Sequence, residues 1–251
     1  MDYTDLIVEH RDHVAYITIN RPDQMNAFRG QTCDELINAV HRAGYDRDIG
    51  AIVLAGAGDR AFCTGGDQSE HGGQYDGRGT IGLPIEELHA AIRDVPVPVI
   101  ARVQGYAIGG GNVLATICDL TICSESATFG QVGPKMGSVD PGFGTAFLSR
   151  VVGEKKAREM WYLCRRYSGK QAEEMGLANI CVADDELDAT VQEWAEEMAA
   201  RSPTAIAIAK RSFNMDTAHQ SGIAGMGMYA LRLYYETDES QEGVNALKEK
   251  R

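Results

Sequence analysis

Apolar and polar positions alternate along the chain in short β-type runs interleaved with segments of helical period. Residues 6–8 and 14–19, rich in β-branched side chains and separated by the polar Arg11-Asp12-His13, predict a hairpin. From Thr32 the apolar positions Cys33, Leu36, Ile37 and Val40 recur at helical spacing, and Gly44 is placed to end that helix. Residues 51–54 form a short apolar strand; Pro84 opens a helix whose inward positions are Ile85, Leu88 and Ile92. A strand at 99–103, a helix at 109–118 and strands at 120–123 and 127–131 continue the alternation, which predicts a mainly parallel sheet with helical crossovers. After about residue 143 the pattern is helical throughout, over 153–165, 169–176, 185–201, 203–215 and 218–237. No exact internal repeat is visible. Between Gly65 and Gly82 runs a polar stretch with Gly72, Gly73, Gly77 and Gly79, too long for a simple connection and suited either to a mobile loop over a site or to a surface loop.

With 251 residues, 44% of them hydrophobic, the chain buries a full core, and one main domain is expected. Twenty-four basic against 36 acidic residues leave a net charge of −12, which argues against nucleic acid or an anionic membrane as partner. Six cysteines without a C-x-x-C pair, at 33, 63, 118, 123, 164 and 181, predict buried thiols in a reducing compartment and no metal site. The first 21 residues lack the basic start and apolar segment of a secretory signal, and no apolar run is long enough to span a membrane, so a cytoplasmic protein is expected.

Two glycine clusters carry the candidate chemistry. Cys63-Thr64-Gly65-Gly66-Asp67-Gln68 follows a strand, and Ile108-Gly109-Gly110-Gly111-Asn112 opens a helix. Neither fits a phosphate-binding loop or a dinucleotide fingerprint. Consecutive glycines at a helix start leave backbone N–H groups unpaired and let a ligand approach without Cβ interference. Two such sites can supply converging donors, the requirement for an oxyanion hole. The same glycines also suit tight turns and close helix packing, and spacing alone does not separate the two uses.

The clusters sit in a longer series: Asn20-Arg21-Pro22, Asn26-Ala27-Phe28, Ala61-Phe62-Cys63-Thr64-Gly65-Gly66-Asp67, Gly105-Tyr106-Ala107-Ile108-Gly109-Gly110-Gly111 and Cys118-Asp119-Leu120. In this order they resemble the crotonase (enoyl-CoA hydratase/isomerase) superfamily from about residue 5 onward. The resemblance implies an α/β fold with a crotonase-type ββα spiral core that binds acyl-CoA over residues 1–190. It implies a C-terminal helical layer, residues 191–251, used for oligomerisation as a homotrimer or dimer of trimers. A coenzyme A thioester would be the substrate, with no bound cofactor. The thioester enolate would be held by the N–H groups of Gly66 and Gly110. CoA would lie along Ala27, Phe28, Arg29, Gly65, Asp67 and Gln68, its adenine near Ala27, with Lys250 where related enzymes use a C-terminal lysine.

Hydratases of the family carry two glutamates at positions that here hold Val113 and Gly133, so hydration is not expected. The stretches 129–140, 153–161 and 234–237 resemble the branch of 2-ketocyclohexanecarboxyl-CoA hydrolases and, next, 1,4-dihydroxy-2-naphthoyl-CoA synthases. The first open a ring in degradation of the anaerobic benzoate and cyclohexanecarboxylate type; the second close one in menaquinone biosynthesis. Glu70 in the loop, Met25 where synthases often have arginine, and Pro141 in place of a glycine favour the hydrolase. In that reading Asp140 activates water and Ser138 is its hydrogen-bond partner or a donor to the ketone. Tyr235 would protonate the carbanion, and Tyr75 and His71 would close over substrate. Gln131, Gly133 and Trp161 would hold substrate, the attacking water or a bicarbonate, although Val132 replaces a threonine donor of the bicarbonate-using enzymes. His89 reads as structural. A non-catalytic RNA-binding or scaffold role is opposed by the net charge and by the intact Gly66 and Gly110 pair.

Overall fold

The structure, a computed structural model, describes residues 2–69, 75 and 77–249; Glu70, His71 and Lys250 lie outside the described residues. The chain opens with the predicted hairpin, β1 (Leu6–Arg11) paired antiparallel to β2 (Val14–Ile19), followed by α1 (Gly30–Gly44). Three turns then repeat one plan of strand, short strand and helix. They are β3 (Ala51–Gly56), β4 (Ala61–Cys63) and α2 (Ile85–Asp94); β5 (Val99–Val103), β6 (Tyr106–Ile108) and α3 (Gly110–Ile117); and β7 (Leu120–Ser124), β8 (Thr128–Gly130) and α4 (Gly133–Met136). A π-type turn, Phe143–Phe147, leads into α5 (Leu148–Val152) and α6 (Glu154–Leu163). The remaining elements are β9 (Arg166–Ser168), α7 (Gly169–Glu174), β10 (Ile180–Val182), α8 (Leu187–Ala199), α9 (Pro203–Asp216), α10 (His219–Tyr235) and α11 (Asp238–Lys248).

In each repeat the first strand joins a six-stranded sheet, ordered β1-β2-β3-β5-β7-β10, and the second joins a four-stranded sheet, ordered β4-β6-β8-β9. Apart from the β1/β2 and β8/β9 pairs the strands run parallel. This is the ββα spiral, and it is invisible as a sequence repeat because its second strands are only three residues long. β3 is buried throughout, as a central parallel strand covered on both faces must be. Its alternation sorts the core. Ile52 and Leu54 pack with Leu36, Phe62 and Leu114, whereas Ala51 and Val53 meet Leu187, Val191 and Ala195 of α8. Each fully buried Leu or Ile here contributes about 1.5–3 kcal/mol.

The C-terminal layer is docked onto this spiral. Ala224, Met228 and Leu231 of α10 belong to the same apolar core as the sheets. Lys210 of α9, 6% exposed, donates to the carbonyls of Ile92 (3.0 Å) and Val97 (2.9 Å) and pairs with Asp119 at 2.7 Å. Its ammonium thereby satisfies the last turn of α2 and the chain entering β5 together. All six cysteines carry free thiols; five are buried and Cys181 is half-buried. Among the described residues no helix is long and apolar enough to cross a membrane.

Candidate active site

A cavity of about 130 Å³ lies between the two glycine clusters, the 131–140 segment and α10. Its first wall is built from main chain. Phe28 forms an isolated parallel bridge to Gly66: its N–H donates to the Gly65 carbonyl at 2.8 Å, and its carbonyl accepts from the Asp67 N–H at 2.9 Å. In a parallel bridge both bonds go to the residues flanking the partner, so the N–H of Gly66 itself faces away from Phe28. Gly110 is the first residue of α3, where helix geometry offers its N–H no acceptor. Neither N–H donates to another described residue, and both glycines line the cavity.

Close backbone approach brings the two turns together. A Cβ on Gly65 would stand 2.9 Å from the Gly110 nitrogen, and one on Gly110 would stand 2.7 Å from Phe28 Cζ and 3.1 Å from Gly65 Cα. The turns themselves need left-handed backbone, with φ of +88° at Gly65 and +57° at Gly109. Glycine at 65 and 110 therefore serves close packing of the two turns, and at 66 and 110 the N–H groups are left facing the cavity.

An ion-pair network supports this wall from behind. Asp5, 3% exposed, accepts from Arg29 Nε (2.8 Å) and Nη2 (2.9 Å) and from the Thr32 hydroxyl. Burial raises the pKa of Asp5, but these hydrogen bonds and the charges of Arg29 and Arg21 outweigh it and hold the carboxyl below its usual range. Arg21 donates to Asp67 at 2.8 Å and to the Ala27 carbonyl. Of the residues expected along CoA, Phe28, Gly65 and Gln68 reach the cavity, while Arg29, Asp67 and the Ala27 carbonyl are engaged in this network. Asp5 was not singled out by sequence, and Arg21 stood only inside its motif; Asp5 meets Arg29 across 24 positions and Arg21 meets Asp67 across 46.

The opposite wall is built from side chains. Ser138 Oγ and Tyr235 OH are 2.9 Å apart, across 97 residues of chain. Asp140 Oδ1 accepts from the Gly144 N–H at 2.7 Å. Ser138 is thus partnered by Tyr235, and the partner of Asp140 is a backbone amide of the π-type turn. Burial of the Asp140 carboxyl pushes its pKa up to about 7, against the lowering effect of the Gly144 N–H. Burial also raises Tyr235, so it stays a phenol at neutral pH. A carboxyl poised near the working pH beside a buried phenol suits proton transfer.

Tyr75 reaches in from the loop with its hydroxyl against Gly66, and Gln68 Nε2 donates to that hydroxyl at 3.2 Å. Gln131, 1% exposed, sits in the wall with no partner for its Nε2 among the described residues. Trp161 packs its ring on Gly133, where a Cβ would stand 2.7 Å from Cζ3, and donates its indole N–H to the Gly144 carbonyl. That donor is engaged within the protein. A side chain at Gly133 would also collide with the Ser138 carbonyl, and Val113 is fully buried in the core. Neither position that holds a glutamate in hydratases presents one here. Ile81, Leu83, Val139, Met228 and Leu231 complete an apolar surface, and among the described lining residues there is no Lys, Arg or His.

A ββα spiral with a cavity between two glycine turns that leave main-chain N–H groups unpaired, and with an acid across from them, has the architecture of crotonase-fold enzymes. The chain belongs to the enoyl-CoA hydratase/isomerase family of the crotonase superfamily, whose sequence pattern it matches over residues 9–251, and whose members are enzymes acting on CoA thioesters. It is similar to an enoyl-CoA hydratase from Mycobacterium avium subsp. paratuberculosis K-10, with 29% identity and a TM-score of 0.88 over 100% of this chain and 98% of that one. An enoyl-CoA hydratase/isomerase from Xanthobacter autotrophicus Py2 shares 28% identity, with a TM-score of 0.85 over 99% and 94% of the two chains. Pseudomonas aeruginosa OdaA, at 24% identity, shares the fold with a TM-score of 0.86 over 97% of this chain and 98% of its own.

Proposed function

We propose that the protein is a ring-opening carbon-carbon hydrolase that converts 2-ketocyclohexanecarboxyl-CoA and water to pimeloyl-CoA. The observation that carries this reading is the placement of Asp140, with a pKa of about 7, in the cavity that also holds the Gly66 and Gly110 donors. The ionised Asp140 takes a proton from water as the hydroxide adds to the ring ketone, and the carbonyl electron pair moves onto its oxygen. Ser138 donates a hydrogen bond to that oxygen. Collapse of the adduct re-forms the C=O as a carboxylic acid and breaks the bond to the carbon beside the thioester. The electron pair left there delocalises onto the thioester oxygen, where each of the two N–H donors contributes about 3 kcal/mol. Tyr235 protonates the carbanion, and the proton held on Asp140 restores the phenol.

The apolar surface, without a cation among the described residues, favours an uncharged ring over the additional carboxylate of the naphthoyl-CoA synthase substrate. Incubation with 2-ketocyclohexanecarboxyl-CoA in oxygen-18 water tests the reading. Pimeloyl-CoA labelled in its new carboxylate is expected by mass spectrometry; an intact substrate together with cyclised o-succinylbenzoyl-CoA overturns it in favour of the synthase.

A homotrimer or dimer of trimers is part of the same proposal, joined through the outward face of the 191–251 region. Ile208, Phe213 and Met215 of α9 and Met226, Tyr229 and Leu233 of α10 are exposed by 62–78%, more apolar surface than one helical layer normally shows to water. Light scattering coupled to size exclusion checks the mass, and a monomer refutes this contact.

A further inference from the structure

We infer that Trp161 is a positioning residue for Asp140: it grips both ends of the 133–144 segment and fixes the Gly144 peptide against the reacting carboxyl. The inference rests on the ring-opening reading only for the name of the reaction; the geometry stands without it.

The segment that carries Ser138 and Asp140 is held by backbone contact at almost every glycine. At its start, Gly133 lies flat against the six-membered ring of Trp161, leaving no room for a Cβ. At its end, the Gly144 carbonyl accepts from the indole N–H of the same residue. Between these points, Gly137 abuts Ser240 of α11, whose hydroxyl donates to the Gly137 carbonyl at 2.7 Å, and Gly142 abuts Ala224 of α10. Trp161 itself is 6% exposed and sits in the core, so one buried, rigid side chain spans the two anchor points.

The peptide groups of Gly144 carry the effect onward. Its C=O is tied to Trp161 and its N–H donates to Asp140 Oδ1 at 2.7 Å. Gly144 is the second residue of the π-type turn Phe143–Phe147, where an N–H has no acceptor within the turn itself and is free to serve the side chain. With Oδ1 fixed by that amide, the other carboxylate oxygen is left for water. The donor also favours the ionised carboxylate against its burial, so the Asp140 titration reports on the strength of the contact. The other titratable groups on the cavity wall, among the described residues, are Tyr235 from α10, bonded to Ser138, and Tyr75 from the loop, bonded to Gln68.

The test replaces Trp161 in two ways: Trp161→Phe, and a benzothiophene isostere that retains the bicyclic shape but lacks the N–H. Carbon-13 NMR of labelled aspartate, with Asp140→Asn to assign the signal, reads the Asp140 titration in the free protein, and steady-state kinetics read ring opening. Both variants are expected to titrate at higher pH than the parent and to lose kcat by 10- to 100-fold, on the order of a misplaced catalytic group, with KM nearly unchanged. If the isostere keeps both the parent titration and the parent kcat, the inference is overturned. A parent rate that depends on added bicarbonate, with the dependence lost in the isostere, also overturns it, because the indole would then be an anion ligand. If the parent opens no ring and the Asp140 titration still moves in both variants, the positioning role stands and the ring-opening reading fails. Should Trp161→Phe not fold, the isostere alone decides.

Discussion

The wall bearing Gly66 and Gly110 presents main-chain donors, fixed by one β-bridge and a helix start, with Gln68 and Tyr75 beside them, whereas the wall from Ser138 to Gly144 presents side chains held by α6, α10 and α11. In the proposed reaction the first stabilises the oxyanion. The second can move protons and gains its reactivity from burial, which sets Asp140 near 7. The division teaches that the main-chain donors come with the spiral itself, while the titratable side chains sit on a dozen residues gripped from the C-terminal side.

The largest expected effect that separates the walls is Asp140→Asn, which should lower ring opening by about 10³- to 10⁴-fold while a CoA ester still raises the melting temperature. Its pH dependence has a definite sign. The folded pKa, about 7, lies above the ordinary value of 3.8, so ionising Asp140 costs stability as pH rises through 7. The Asn variant should therefore match the parent near pH 4 and be more stable at pH 8, by up to about 4 kcal/mol, in urea titrations at the two pH values. A variant equally destabilised at both would show that Asp140 is ordinary. Next comes Gly110→Ala, which attacks the other wall. The new methyl meets Phe28 and Gly65, and the displaced donor should cost kcat about 10²- to 10³-fold. If the walls are separate, this variant keeps the parent Asp140 titration.

Tyr235→Phe sharpens the comparison within the second wall. It leaves Ser138 without its partner and should reduce kcat by roughly 10²-fold with KM little changed. At neutral pH the smallest effect belongs to His89→Leu. His89 is buried edge-on to Phe143, 5.2 Å between centroids, with no partner for either ring nitrogen among the described residues. Burial and then the Arg93 charge lower its pKa to about 3. Since the unfolded chain protonates near 6.5, the parent loses stability as pH falls below that value, about 2 kcal/mol by pH 5. The leucine variant should lose that acid sensitivity in thermal melts at pH 7 and 5 and retain activity at pH 7; unchanged acid sensitivity would mean His89 is not the cause.

The periodic parts of the chain were legible in the sequence: the β1/β2 hairpin, the parallel strands β3, β5 and β7, and the helices from α6 to α10, each within a few residues of its predicted span. α1 begins at Gly30, two residues before the position its apolar pattern suggests. What escaped were β4, β6, β9 and β10, strands of three residues each, together with the short helices α4 and α5, the π-type turn and α11. In the site, the glycine clusters could be found because main-chain donors need glycine. Family resemblance named Ser138 and Tyr235 singly and paired Ser138 with Asp140; their own contact escaped, since no local pattern links residues 97 apart. The Gly144 amide and the indole of Trp161 left no local trace, because their roles arise from tertiary packing alone.

The grip on residues 133–144 also limits how such a scaffold can change over time. Four of its glycines touch neighbouring chain so closely that a single methyl has no room. Neutral drift along that stretch is nearly closed, and a new substrate cannot be accommodated by loosening it. Latitude lies instead in the apolar side chains of the cavity outside that stretch, Ile81, Leu83, Met228 and Leu231. A library confined to those four positions should alter tolerance across a series of acyl-CoA esters, whereas one directed at the glycines should return mostly misfolded chains.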